Sequence, residues 1–320
     1  MTADAAAAGS PPTVRILGQS RLKTWWRVPL WTAFLCLTAL ILAYPTYLKL
    51  EYFPVEALHV FANLPLFGTL FYLWALCLLV LLFTPADEAA ARWERLVLVA
   101  IAALVFWGSW IIIAPVRGAG LSFAGTSNLW QSQGRIFQGP YTSYYEWPGH
   151  PLFSLIISLI TGLEILPFVV MLQGLFTVLV VAIAAYVFLL AVLKSSLSAS
   201  LASLLIIVGG RALVFGNDGG TMGMGIFTLF LMVLFSGVAY GNLPRKLVLL
   251  LIFAGITVSQ FFAATLMFFM LAGQWVFAAL QRRQIAAGPP ITTVIFALVA
   301  PLSWIFAMRL HFVEVLVGTF

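Results

Sequence analysis

Carboxylates are scarce in this chain, so each one outside an apolar run is a candidate for chemistry. Ten Asp and Glu stand among 320 residues, and charged residues make up 8% of the sequence. Glu146 lies in YTSYYEWPGH (141–150), beside Tyr144, Tyr145 and Trp147 and shortly before His150. A carboxylate among aromatic rings is poorly hydrated, which suits it to act as a general base. The rings suit stacking on the faces of a sugar. The same rings also suit an aromatic belt at a membrane boundary, which requires neither the Glu nor the His. Pro148 and Gly149 deny Glu146 and His150 a helical relation.

The second carboxylate, Asp218, lies in FGNDGGTMGMG (215–225) between Asn217 and Gly219. Glycines there let the backbone approach a ligand closely, or simply make a flexible turn around a solvated Asp. Arg135 and Arg211 offer guanidinium groups for a phosphate. Asn128 and Gln260 are amides placed between apolar runs. Glu146, His150 and Asp218 have no metal-ligand spacing, so no metal site is assigned, although a divalent cation stays open as a cofactor. Met222 and Met224 fit packing better than metal binding. The chain holds no P-loop, GxGxxG, HExxH, CxxC or GxSxG motif.

The elements that must position these groups are apolar helices. The sequence is 63% hydrophobic, and several runs reach or approach the roughly 20 residues that span a bilayer. The expected spans are 28–48, 66–84, 96–114, 166–193, 197–214, 222–241, 246–260, 262–281 and 290–308. The fold class is thus all-α: a polytopic membrane bundle of about nine transmembrane helices. The run 150–163 is too short to cross, since 14 residues rise only about 21 Å. It reads as a re-entrant or juxtamembrane helix that returns at 162–164 to its own side. With the N-terminus in the cytoplasm, Arg92, Arg95, Lys194, Arg245, Lys246, Arg282 and Arg283 all fall inside. A full crossing by 150–163 would put every later basic loop outside.

This topology makes the protein a multi-pass protein of the plasma (cytoplasmic) membrane. Residues 1–27 are a disordered basic cytoplasmic tail, 28–94 hold two additional helices, 95–308 form the core, and 309–320 lie outside. The loop 116–151 is outer and carries a short amphipathic helix over 123–138, closed by Gly139 and Pro140. That helix either shelves a headgroup or sugar, or anchors at headgroup level through Trp130. Cys36 and Cys77 lie in apolar runs and read as small core residues. The net charge of +6 belongs to loop anchors and does not imply nucleic acid; membrane lipids are the expected surroundings.

The order of these parts resembles the GT-C superfamily of integral membrane glycosyltransferases. Its pattern is a span, a long outer loop with an interfacial helix, a Tyr-Pro-Pro or Trp-Pro-Gly motif opening a short helix, and a long span ending in a basic residue. Here these are 96–114, 127–139, 145–150, 152–162 and 167–194, with Asp218 in the next outer loop and Gln260 at a later polar position. The resemblance covers 95–308. It implies transfer of a sugar from a polyprenyl-phosphate donor to an acceptor on the outer face. Glu146 or Asp218 would be the base, Arg135 or Arg211 would hold the phosphate, and the aromatic segment with Tyr144, Tyr145 and Trp147 would hold the sugar.

One departure matters. The family carries an acidic residue soon after its first core span, yet no Asp or Glu lies between Pro115 and Tyr145, and Asn128 stands in that place. An amide cannot take up a proton at neutral pH. The alternative reading is therefore a non-catalytic protein on the same scaffold, a lipid-binding partner or a subunit of an assembly. A transporter would need paired charges within its spans, and almost none are there. Relatives often continue beyond the last span, so the resemblance also implies a short or truncated version. Single cysteines placed at Asn128, Glu146 and Asp218 should all react with an impermeant maleimide from the outside; labelling of Asp218→Cys from the cytoplasm alone would overturn this topology.

Overall fold

The structure is a computed structural model, and it describes residues 25–47, 65–85, 88–108, 119–134, 149–209, 219–234, 243–259, 261–280 and 291–308. Every described element is helical. In chain order they are α1 (Arg27–Tyr47), α2 (Pro65–Phe83), α3 (Glu88–Ala103), α4 (Ala119–Gln133), α5 (Gly149–Thr161), α6 (Val170–Leu193), α7 (Ser196–Gly209), α8 (Gly219–Leu234), α9 (Leu243–Ser259), α10 (Phe261–Leu280) and α11 (Ile291–Met308). A π turn, Leu104–Gly108, extends α3, and another, Ile165–Val169, opens α6.

Apolar side chains from distant segments gather into three main clusters. The first joins Phe34 and Ile41 of α1, Trp74, Leu78, Leu81 and Leu82 of α2, and Leu98, Ala102 and Val105 of α3 and its π turn. Phe34 stacks on Trp74 at 5.6 Å between ring centroids, and the Trp74 indole N–H donates to Thr38 Oγ1 at 2.9 Å. The second packs α3, α6 and α7 through Ala103, Ala182 and Ala199, with Trp107 donating to the Ile207 carbonyl at 2.6 Å. Small residues at such crossings let helix backbones approach closely. The third joins α8, α9, α10 and α11 around Phe230, Phe253, Met267 and Val294.

Two helices are long and apolar enough to cross a membrane, Met171–Leu193 of α6 and Ala263–Leu280 of α10. Only 28% and 22% of their most apolar stretches are buried, less than the mostly buried core helix of a water-soluble protein. Phe176, Ile183 and Val192 of α6 and Phe269, Phe277 and Leu280 of α10 point outward. Exposed apolar faces of this extent are stable against lipid and unfavourable against water.

The other expected spans are present as helices but do not reach that standard among the described residues. The described apolar parts of α1, α2, α7, α9 and α11 are between 10 and 17 residues long. α3 begins with Glu88, Arg92, Glu94 and Arg95, which belong in water or in ion pairs rather than in lipid. The short helix expected over 150–163 is α5, which at 13 residues rises about 20 Å. Cys36 is exposed, not a core residue, because its face of α1 points away from α2; Cys77 is half-buried, and both thiols are free.

Two of the charges at the start of α3, Glu94 and Arg95, are tied inward. Arg27 of α1 pairs with Glu94, which also accepts from the Trp31 indole N–H at 3.0 Å. Arg95 donates to the Leu82 carbonyl at 3.1 Å and to Ser196 Oγ at 2.5 Å, joining α3 to the ends of α2 and the start of α7. Tyr186 of α6 donates to the Arg92 carbonyl at 2.9 Å. Arg27 and Glu94 side chains are only 6% and 12% exposed. Removing one partner leaves the other buried and unpaired, so Glu94→Gln should cost about 3 kcal/mol. The apolar double replacement Arg27→Met with Glu94→Leu should recover most of that in thermal unfolding. Equal destabilisation by the single and double variants would show that the pair does not act as a pair.

Candidate functional site

α5 and α6 form a tight helical hairpin. Gly162, at φ +72°, makes the turn, a conformation that a side chain would oppose. Two hydrogen bonds close the hairpin above the turn: Ser158 Oγ donates to the Leu163 carbonyl at 2.7 Å, and Ser154 Oγ donates to Gln173 Oε1 at 2.5 Å. The partners separate along the chain with distance from the turn, so α5 runs antiparallel to the first part of α6. His150, Ser154 and Ser158 recur four residues apart and share the buried face of α5. Gln173 is 2% exposed opposite them. A polar stripe buried in an apolar bundle is held by interhelical hydrogen bonds, as here.

α4 lies against this hairpin, parallel to α5. Ser127 Oγ donates to the Pro151 carbonyl at 3.0 Å, and Gln131 Nε2 donates to Ser158 Oγ at 3.3 Å. Trp130, 1% exposed, packs with Leu155 and Leu152. The arrangement turns the edge of α4 that carries Asn128 and Gln131 toward the hairpin turn. Asn128 and Gln131 of α4, with Gly162, Leu163, Glu164 and Ile165 of the turn, line an open cavity of about 270 Å³. Asn128, Gln131 and Glu164 are its polar residues, and Leu163 and Ile165 its apolar ones.

Of the residues singled out from sequence, Asn128 and His150 fall within the described structure. Asn128 is exposed in the cavity, whereas His150 is 2% exposed at the opposite end of α5 from the turn. Glu146, Asp218, Arg135, Tyr144, Tyr145, Trp147, Arg211 and Gln260 lie outside the described residues. The helix expected over 123–138 runs instead over Ala119–Gln133 and stops at Gly134, whose φ of +63° suits a helix end. Trp130 is no headgroup-level anchor: Leu152 and Leu155 bury it.

Glu164 lies where the short helix was expected to return, at 162–164, and the sequence singled out no role for it. Its signal was the glycine two residues before it, where a helix too short to cross must turn back. That turn delivers a carboxylate to the cavity occupied by Asn128. Among the described residues no three His, Cys, Asp or Glu come together around a metal ion. Glu164 and the two amides supply hard oxygen donors with a single carboxylate, which fits a divalent cation only if water fills most of its shell.

No family model matches the sequence, and no curated protein and no solved structure matches it. The functional reading rests on the residues and their arrangement. Ser158 is the group that joins α4 to the turn, so Ser158→Ala should speed amide hydrogen exchange at Leu163 and Glu164 and cost about 1 kcal/mol of stability. Unchanged exchange at both amides would mean that the turn is held by other contacts.

Proposed function

We propose that this chain is a multi-pass membrane glycosyltransferase of GT-C-like architecture, with its N-terminus in the cytoplasm of a cell bounded by the plasma membrane. It transfers a sugar from a polyprenyl-phosphate donor to an acceptor hydroxyl at the outer face. The observation that carries this reading is the cavity shared by Asn128 and Glu164. Where the GT-C pattern expects an acid, α4 presents an amide, and the hairpin turn beside it supplies the carboxylate. The outward apolar faces of α6 and α10 support a membrane setting for that cavity.

In this reading Glu164 takes the proton from the acceptor O–H. The acceptor oxygen then forms a bond to the anomeric carbon. The bond from that carbon to the phosphate oxygen breaks, and the polyprenyl phosphate leaves with the electron pair. Asn128 and Gln131 orient the acceptor through amide hydrogen bonds. Arg135 and Arg211 remain the candidates for the phosphate, and Glu146 and Asp218 are the alternative bases. A divalent cation, if bound, would draw charge from the leaving phosphate.

The second reading, a non-catalytic protein that binds lipid or a partner subunit on the same scaffold, is favoured by Asn128 itself. The two separate in one assay: the full chain in nanodiscs with radiolabelled polyprenyl-phosphate sugars. Consumption of donor that falls at least about 100-fold in Glu164→Gln, the usual scale for loss of a general base, supports the enzyme with Glu164 as base. Unchanged turnover in Glu164→Gln removes Glu164 from that role. A silent protein that gains transfer with Asn128→Asp is a decayed enzyme, and one that stays silent belongs to the second reading.

A further inference from the structure

The chemistry of the cavity lining narrows what it can take. Its only described charged group is Glu164, and no Lys or Arg is among the lining residues described. The turn does offer one feature that favours anions. Glu164 directly precedes the π turn that opens α6, and a helix start carries about half a positive charge on its free N–H groups. The Glu164 carboxylate carries a full negative charge at the same place, so the local balance stays negative. A phosphate brought here meets a like charge, and no cation among the described lining residues offsets it. Asn128 and Gln131 each offer both donor and acceptor atoms, the complement of a hydroxyl that also does both.

Size points the same way. The cavity, about 270 Å³, falls below the roughly 300–1,000 Å³ typical of sites for drug-sized ligands. It has room for one ring within its walls. Asn128 and Gln131 stand three residues apart on α4, so both amides reach the same side of such a ring.

We infer that this cavity receives an uncharged polyhydroxyl ring, a single saccharide unit of the acceptor, and rejects a phosphate. Its place in the reaction rests on the transferase reading: this is the acceptor side, and the donor phosphate is held elsewhere. The binding preference itself needs no turnover.

The test uses the full chain in nanodiscs with Cys36→Ser, Cys77→Ser and Leu163→Cys, the last placing a thiol on the cavity wall. Labelling by an impermeant maleimide is measured with methyl glucoside, methyl galactoside or methyl mannoside, and with the 1-phosphate of each sugar. At least one glycoside should slow labelling about threefold at millimolar concentration. Its 1-phosphate should need about tenfold more for the same protection, and adding Glu164→Gln should close that gap. Equal or better protection by the 1-phosphate overturns the inference, as does an absence of protection by every glycoside. Thermal shift of the unmodified chain with the same compounds guards against misfolding of the variants, and the same ranking is expected. Glycoside protection without sugar transfer would leave this inference standing and remove the transferase reading; transfer without protection would do the reverse.

Discussion

One hydroxyl holds the candidate site together. Ser158 Oγ accepts from the Gln131 amide on α4 and donates to the Leu163 carbonyl at the hairpin turn. It thereby fixes two segments, 27 residues apart at Gln131 and Ser158, against each other. It gives the amide pair of α4 and the turn a common reference, alongside the Ser127 hydrogen bond to Pro151 and the packing of Trp130 on α5. Its geometry is available only because Gly162 turns the chain at positive φ, directly after a helix too short to continue. A side chain at Gly162 would meet open space, so its requirement is one of backbone conformation and not of room.

The rest of the bundle explains why so few polar contacts suffice. Where apolar faces are as plentiful as on these helices, small-residue packing and buried hydrogen bonds decide which helices meet. The α3–α6–α7 crossing has the first device, with Ala103, Ala182 and Ala199. The α4–α5–α6 group has the second, with Ser127, Ser154, Ser158, Gln131 and Gln173. Aromatic stacking around Trp74 and the Arg27–Glu94 pair tie α1 to α2 and α3. The candidate site thus sits where the bundle is held by polar groups rather than by shape.

Most of the helices were legible in the sequence because they are nearly unbroken apolar runs, and the short helix before Gly162 was legible from its length. The turn residue was legible too, since glycine after a short apolar helix marks a reversal. Spanning capacity is the part left unconfirmed: among the described residues two helices are long and apolar enough to cross a membrane. The cavity was not legible, because it depends on which face of α4 meets α5. Trp130 decides that face by burying itself against Leu155, and burial cannot be told from interfacial anchoring when a tryptophan stands in a weakly amphipathic segment. The partnership of Asn128 with Glu164 follows from that choice. Glu146 and Asp218, the carboxylates the sequence favoured, lie outside the described residues.

Asn128 and Glu164 share one open cavity, and the reading of the site depends on it. Intrachain cross-linking measures this directly. Cysteines would replace Asn128 and Glu164 in a chain carrying Cys36→Ser and Cys77→Ser, and a short bis-methanethiosulfonate would be applied to the protein in nanodiscs. Peptide mass spectrometry should find residues 128 and 164 joined within one chain, in high yield and at low protein concentration. Cysteines that each react singly with the reagent, yet never become joined, would contradict the shared cavity and the role given to Glu164.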